Sequence, residues 1–336
     1  MLLSEEQREN FISRLQLTTA KGGEYIIMPN AANPAFLVPI GSKDIFTKGL
    51  ALIKPLSGKG ELKKRILSLI PPKWLKRKLP HMSFENKNEV NRNTIILPWS
   101  QKICDKLTYI SFDDEMKDII VHKYAFTDTT RKMVRNEHAF LSKIDTSKAL
   151  GIIVPAIKGF EEGDGYTYLM QNYLDGMHMK ELSPNISSFF SSLNSNEILP
   201  LSDHPYIQNR FPLIRNVLNE IGETEILAEL DSLYEMYSNE KFHVATMHSD
   251  FSSSNTVQTD ENQFVIIDWE DACEDGVCID AEYFKFRKTL QNNESWSIKN
   301  ADQFLVVFHY FYFMTKKRNE LMLRRFNLSG GAFNLA

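Results

Sequence analysis

Two short polar motifs, separated by an apolar run, most constrain how this 336-residue chain can fold. The first is His248-x-Asp250-Phe251-x-x-x-Asn255, and the second is Asp268-Trp269-Glu270, with FVII at 264–267 between them. A short apolar run bounded by polar residues predicts a loop, a buried strand and a second loop. At this level the segment can still be interpreted as a polar turn before a core strand, with Asp268 as a cap.

The spacing of these polar residues suits one kind of chemistry. Phosphoryl transfer to a hydroxyl needs a group that orients the hydroxyl and accepts its proton, and a divalent cation that neutralises phosphate charge. Asp250, Asn255 and Asp268 offer one such group and two oxygen ligands from neighbouring loops. A pair of carboxylates is also used in glycoside hydrolysis, but Asn255 would have no role in that reaction.

Both motifs, at this separation, resemble the signature of the aminoglycoside phosphotransferase and choline kinase family. That signature is His-Gly-Asp-(Phe/Leu)-three residues-Asn, followed by Ile-Asp-(Trp/Phe)-Glu. The resemblance implies that Asp250 is the catalytic base and that His248 braces its loop. It implies that Asn255 and Asp268 bind Mg²⁺, and that ATP is the phosphoryl donor.

Three positions near the motifs refine the resemblance. Gly276 and Asp280 match the Gly and Asp that follow the signature, where the Asp typically secures the catalytic loop. Ser249 departs from the family, which usually has Gly there. A serine is strained if that backbone needs a conformation comfortable only for glycine, and otherwise it simply adds a polar contact.

The upstream half predicts strands before helices. Residues 94–99, 106–112, 118–126 and 166–174 are rich in β-branched and aromatic side chains, and a helical pattern starts at Asp128. We therefore expect an α+β, two-lobed, protein-kinase-like fold with a small antiparallel sheet followed by a mostly helical lobe. The expected divisions are an N-terminal extension at 1–90, an N-lobe at 91–175 and a C-lobe at 176–336.

The resemblance extends to the nucleotide-binding residues of the N-lobe. It implies that Lys123 holds the α- and β-phosphates and that Glu137 pairs with it. Backbone groups of Gln171 and Tyr173 would meet the adenine edge. The loop at 98–106 contains no glycine, and Ser100 is its candidate phosphate contact.

Composition narrows the setting and the partners. The net charge of −4 gives no general reason to expect nucleic acid, which is bound by basic surfaces. Three cysteines without paired spacing argue against a disulfide framework or a structural zinc site, which favours a reducing cytoplasmic compartment. The apolar stretch 304–314 is too short to span a bilayer and contains His309, so we expect a buried helix.

The segment 54–78 is strongly basic, with nine Lys or Arg residues against one acid, Glu61. Part of it, ELKKRILSLI, has the pattern of an amphipathic helix. It is interpreted either as a solvated helix packed on its own domain, or as a contact with an anionic membrane or polymer at the inner face of the membrane.

These observations lead to a functional expectation. The chain is expected to be an ATP-dependent phosphotransferase acting on a hydroxyl of a small molecule or saccharide, with an acceptor linked to cell-envelope polysaccharide or lipid. Aromatic residues around Tyr283, Phe284 and 308–313 are expected to form walls of the acceptor pocket. The alternatives are a nucleotide-binding scaffold without turnover and a protein kinase, although no Asp-Phe-Gly or Ala-Pro-Glu element is present. The oligomeric state is left open.

Overall fold

The computed structural model describes residues 5–30, 33–54, 58–89, 92–97, 105–145, 151–292, 294–316, 326–329 and 332–335. The helices are α1 Glu5–Gln16, α2 Lys43–Leu52, α3 Gly58–Leu69, α4 Pro72–Lys76, α5 Asp128–Lys143, α6 Pro184–Ser192, α7 Pro205–Glu220, α8 Thr224–Tyr237, α9 Asp280–Gln291 and α10 Ala301–Lys316. The strands are β1 Gly23–Asn30, β2 Asn33–Pro39, β3 His81–Phe84, β4 Asn93–Leu97, β5 Lys106–Phe112, β6 Ile119–Ala125, β7 Ile152–Ile153, β8 Ile157–Gly163, β9 Tyr166–Asn172, β10 Met177–His178, β11 Asn194–Pro200, β12 Lys241–Met247, β13 Thr256–Gln258, β14 Phe264–Ile266, β15 Cys273–Gly276, β16 Trp296–Ser297, β17 Phe326–Ser329 and β18 Ala332–Leu335. These elements form two compact units, one from the described parts of 1–144, 154–178 and 259–261, and one from the rest.

The first unit is built on one large antiparallel sheet. Its eight strands run in the order β3-β1-β2-β4-β5-β6-β9-β8. Helix α5 follows β6 and turns Val134, Phe140 and Leu141 into the core, as its amphipathic pattern requires. The side chain of Thr127 caps its first turn by accepting a hydrogen bond from the N–H of Thr130.

The N-terminal residues are part of this sheet. Strand β2 pairs with β4 through Leu37 and Ile96, and β1 pairs with both β2 and β3. The boundary expected at residue 90 therefore falls inside a continuous sheet. The sequence offered no signal for this, because the partner strands are far apart along the chain.

The second unit is mostly helical. Strands β11, β12 and β15 form a small antiparallel sheet, while β13 and β14 form a hairpin whose second strand pairs in parallel with β7. The core of this unit surrounds α10, in which twelve side chains between Ala301 and Thr315 are buried. The predicted α+β layout, with an antiparallel sheet before a mostly helical unit, is confirmed.

Burial in the second unit confirms one expectation and corrects another. The apolar stretch 304–314 lies within the buried helix α10, as predicted. No helix in the described residues is long and apolar enough to cross a membrane. The expected acceptor walls are corrected in part: Tyr283, Phe284 and Phe308 are almost completely buried side chains of the core, whereas Tyr312 stays half-buried.

Gly276 allows β15 to lie very close to β12. A Cβ atom at this position would lie 2.5 Å from Cβ of Met247 and 3.1 Å from the carbonyl oxygen of Ala245. Both neighbours are in β12, the strand that leads directly to His248. A side chain at 276 would therefore displace the strand that positions the polar loop.

We expect Gly276→Ala to lower the free energy of unfolding by about 1–3 kcal/mol, the usual cost of overpacking a filled site. Gly58→Ala is the matched control, since a Cβ there meets nothing within 4 Å. Urea denaturation of both variants measures the difference. Equal stability of the two variants would show that β12 and β15 can separate at little cost.

Candidate active site

A buried ion pair lies in the first unit between a strand and the helix that follows it. Nζ of Lys123 in β6 donates to both carboxylate oxygens of Glu137 in α5, at 2.8 and 2.6 Å. Nε2 of Gln171 in β9 donates to the same carboxylate at 3.1 Å. Glu137 is fully buried, and Lys123 and Gln171 are nearly so. The structure thus brings together three residues that the sequence singled out, with Gln171 contributing its side chain.

His122 lies beside Lys123 in sequence but faces the other side of the sheet. Its Nε2 is 2.8 Å from Oγ of Ser111, and its Nδ1 is 2.7 Å from the hydroxyl of Tyr168. Its ring stacks on Tyr109, and burial lowers its pKa to about 3. A neutral, fully bonded imidazole in the sheet core has a structural role.

The two residues expected at the adenine edge have other contacts in this structure. Gln171 pairs with Val121 and Ile157 in the sheet, while the N–H of Tyr173 donates to the carbonyl oxygen of Ile119 at 3.1 Å. The hydroxyl of Tyr173 donates to Leu52, and burial raises its pKa. The contact of both backbones with an adenine edge stays a prediction. Ser100 lies outside the described residues.

His248 links the two polar motifs within the second unit. Its Nε2 lies 2.9 Å from the carbonyl oxygen of Ile267, the residue before Asp268, so this nitrogen carries the proton and donates. Its Nδ1 accepts a hydrogen bond from the N–H of Asp250 at 3.3 Å. The ring also packs against the buried side chain of Trp269 at 4.6 Å. One imidazole therefore fixes the backbone at both Asp250 and Asp268.

Asn255 makes a second connection between the same loops. Its Nδ2 donates to the backbone oxygen of Asp250 at 2.8 Å and to the carboxylate at 3.3 Å. The backbone carbonyl oxygen of Asn255 accepts a hydrogen bond from the N–H of Ile267 at 3.0 Å. These bonds orient Oδ1 of the amide, the atom suited to bind a cation, away from Asp250.

Two non-glycine residues of this site have left-handed backbone conformations. Ser249 has φ of 70° and Asp268 has φ of 67°. Such conformations cost about 1–3 kcal/mol and persist where the surroundings enforce them, often at functional sites. The backbone at Ser249 therefore has a conformation that favours glycine, and serine is strained there.

Several bonds hold the Ser249 backbone in place. The carboxylate of Asp280 accepts from the N–H groups of His248 and Ser249 at 2.9 and 3.1 Å. On the carbonyl side, Nε2 of His309 donates to the oxygen of Ser249 at 2.6 Å, and the hydroxyl of Tyr206 supports the other ring nitrogen. Asp280 is completely buried, and this burial raises its pKa to about 6.

Sequence reasoning missed His309 and Arg287. The signal for His309 was a single polar residue in an apolar helix, because a buried imidazole needs partners. Arg287 lies two turns after Asp280 on α9, and its Nη1 is 3.4 Å from the carboxylate of Asp250 and 3.0 Å from the hydroxyl of Tyr283. Nothing in the local pattern distinguished Arg287 from a surface arginine.

Comparison with known proteins gives distant structural similarity. No protein-family model matches the chain, and no curated protein matches it by sequence. The chain is similar to an APH(2'')-IIa in a ternary complex with streptomycin and ATP, with 18% identity, TM-score 0.38, and coverage of 56% of this chain and 68% of that one.

Two further solved structures are similar at the same distance. For wild-type aminoglycoside 2'-phosphotransferase-IIIa with GDP, the identity is 11%, the TM-score 0.42, and the coverage 66% of this chain and 83% of that one. For spectinomycin phosphotransferase APH(9)-Ia with ADP and spectinomycin, the identity is 13%, the TM-score is 0.41, and the coverage is 71% of this chain and 85% of that one.

We expect Lys123→Met to lower the free energy of unfolding by about 3–5 kcal/mol, because it leaves the buried Glu137 carboxylate without its cation. Adding Glu137→Gln should restore much of the loss, since a neutral amide can still bond Gln171. Lys117→Met is the control, because its partner Glu115 is exposed and such pairs contribute about 0–1 kcal/mol. Urea denaturation compares the variants, and a Lys123→Met loss no larger than the control would contradict a desolvated pair.

Burial lowers the pKa of His309 from its ordinary 6.5 to about 3, so the native state keeps this ring neutral while the unfolded chain protonates it. Its contribution to stability is complete above pH 6.5 and is lost as the pH falls towards 3. Between pH 7 and 5 we expect the loss from this ring to be about 2 kcal/mol. The pH dependence of unfolding should therefore be shallower in His309→Gln than in the unchanged protein. Parallel curves would mean that His309 titrates normally.

Proposed function

We propose that this chain is an ATP-dependent phosphotransferase that acts on a hydroxyl group of a small molecule or saccharide. The observation that carries the proposal is the bonded frame around Asp250, in which His248 and Asn255 fix both its backbone and its carboxylate relative to the backbone before Asp268. A proton acceptor and two oxygen ligands held on one frame are what transfer to an alcohol requires.

Asp250 is the proposed base. Its carboxylate is partly exposed, with 21% of the side chain accessible, so an acceptor hydroxyl can reach it. The hydroxyl oxygen forms the new bond to the γ-phosphorus, its proton passes to Asp250, and the bridging oxygen leaves with ADP. Nη1 of Arg287 lies 3.4 Å from this carboxylate, so an opposite charge stands beside the proposed base.

Asn255 and Asp268 are the proposed magnesium ligands. An amide oxygen and a carboxylate are the hard oxygen donors that Mg²⁺ prefers, so this donor set fits the ion. When bound, the ion neutralises charge that develops on the phosphates. The left-handed backbone at Asp268 and the bond from His248 to Ile267 fix where this carboxylate leaves the chain.

Lys123 is the proposed phosphate contact in the first unit. Its ammonium group is held by Glu137, and Glu137 is in turn held by Gln171. An ion pair of this kind, between a strand lysine and a helix glutamate, is needed for phosphoryl transfer in protein kinases. A scaffold that only binds nucleotide would have no need for Asp250 in addition to these residues.

Transfer and nucleotide binding should separate in two variants. Asp250→Asn keeps the size of the side chain and removes the base, so turnover should fall about 10²–10⁴-fold while the thermal shift with Mg·ATP persists. Asp268→Asn should reduce the magnesium-dependent shift itself, since it removes a charged ligand. Thermal unfolding with ATP, with and without Mg²⁺, and assays of ADP release in the presence of sugars and amino alcohols are the measurements.

Asp231→Asn is the matched control, because Asp231 lies in the same unit and pairs with Arg215 at the surface. It should behave like the unchanged protein in both assays. Equal ADP release from Asp250→Asn and the unchanged protein would contradict the mechanism. A magnesium-dependent shift without turnover on any alcohol would favour the nucleotide-binding scaffold.

A further inference from the structure

Helix α3 presents an apolar stripe to solvent. Leu62, Ile66 and Leu69 are 61%, 50% and 75% exposed. At 100° per residue these three side chains lie within about 60° of one another around the helix axis. Surface helices normally turn such a stripe towards the core, so an outward stripe indicates a surface that meets something else.

Contacts on the opposite side of α3 fix this orientation. Nζ of Lys64 donates to the carbonyl oxygens of Ile53 and Ala51 at 2.8 and 3.2 Å, at the end of α2. Leu67 and Ile70 pack against an apolar cluster with members in β1, β2, α2 and α4. The helix is therefore attached by one face, and its apolar stripe lies on the outer face.

The exposed apolar surface extends into α4. Trp74 is 69% exposed, while its neighbours Pro72 and Leu75 are buried and anchor the turn. Of the nine large apolar side chains that are exposed in the described residues, four lie within 62–74. An exposed tryptophan beside exposed aliphatic residues is typical of elements that enter the headgroup region of a bilayer.

Cations surround this surface. Six Lys and Arg side chains of α3, α4 and the following turn are exposed: Lys59, Lys63, Arg65, Lys73, Arg77 and Lys78. Lys76 pairs instead with Glu24. The single acid of this stretch, Glu61, is only partly exposed. Cations next to an anionic leaflet each add favourable attraction, which adds to the burial of apolar side chains.

We propose that the face formed by residues 59–78, here called the basic apolar face, binds the surface of an anionic lipid bilayer. The apolar stripe and Trp74 would enter the headgroup region, and the cations would contact lipid phosphates. A soluble polyanion would use the charges but give the exposed Leu and Ile side chains no role, so the bilayer accounts for more of the surface. This inference does not depend on the proposed phosphotransfer.

The test is co-flotation of the purified protein with phosphatidylcholine vesicles, with and without added phosphatidylglycerol, at low and high salt. We expect binding only to the anionic vesicles and weaker binding at high salt. Leu62→Ser combined with Ile66→Ser, and separately Trp74→Ala, should each reduce the partition coefficient roughly tenfold or more. Lys63→Glu with Arg65→Glu should reduce it through charge alone.

Met236→Ser is the matched control, since Met236 is 67% exposed on α8 and is not part of the basic apolar face. Its binding should equal that of the unchanged protein, and all variants should keep their thermal midpoints. Absence of binding to anionic vesicles would overturn the proposal, as would equal binding of the stripe variants and the control. If the unchanged protein and the stripe variants bound dextran sulfate equally and none of them bound vesicles, the face would bind a soluble polyanion instead of a bilayer.

Discussion

The carboxylate of Asp280 is the group on which the geometry of the candidate site depends. It lies at the start of α9 and accepts hydrogen bonds from two consecutive backbone N–H groups, those of His248 and Ser249. These bonds stabilise a left-handed serine that would otherwise relax to another conformation. Because His248 then reaches Ile267, and Asn255 reaches Asp250, one buried carboxylate determines the positions of both polar motifs.

The two units hold their polar groups by different means. In the first, Lys123 and Glu137 are opposite charges in a dry environment, where each stabilises the other and neither tolerates loss of its partner. In the second, the bonds are mostly between side chains and backbone, with neutral imidazoles at 248 and 309. Salt screens exposed charges far more than buried ones, so neither arrangement should respond strongly to ionic strength. The basic apolar face is exposed, so its interactions should depend strongly on ionic strength.

The sequence alone identified the candidate residues that lie at short, fixed spacings from one another. His248, Asp250, Asn255, Asp268 and Asp280 stand within a short stretch, and hydrogen bonds from His248, Asn255 and Asp280 join the backbone around Asp250 to the backbone before Asp268. Their catalytic and metal-binding roles stay predictions. The sequence alone did not identify His309 or Arg287 as part of the site. Each of them contacts the loop only because a helix distant in sequence packs against it. The sequence alone could not place β1, β2 and β3 in the sheet, since pairing of β2 with β4 depends on partners that no local pattern specifies. Most of the aromatic run of α10 is buried rather than exposed to a pocket, because a helix that is apolar on nearly all sides packs within the core.

The bonds that hold Ser249 have a consequence for how such a chain can diverge. Asp280 and His309 bind the N–H and C=O of residue 249, atoms that every amino acid except proline supplies. Ser249 is buried and its Oγ lies 3.6 Å from Sγ of Cys273, so only small residues that tolerate a positive φ can replace it while the shape of the loop is retained. Serine can then stand at a position that favours glycine without a change in the shape of the loop. A loop held in this way can change in sequence and still keep its shape, because the shape depends on the residues that bind its main chain.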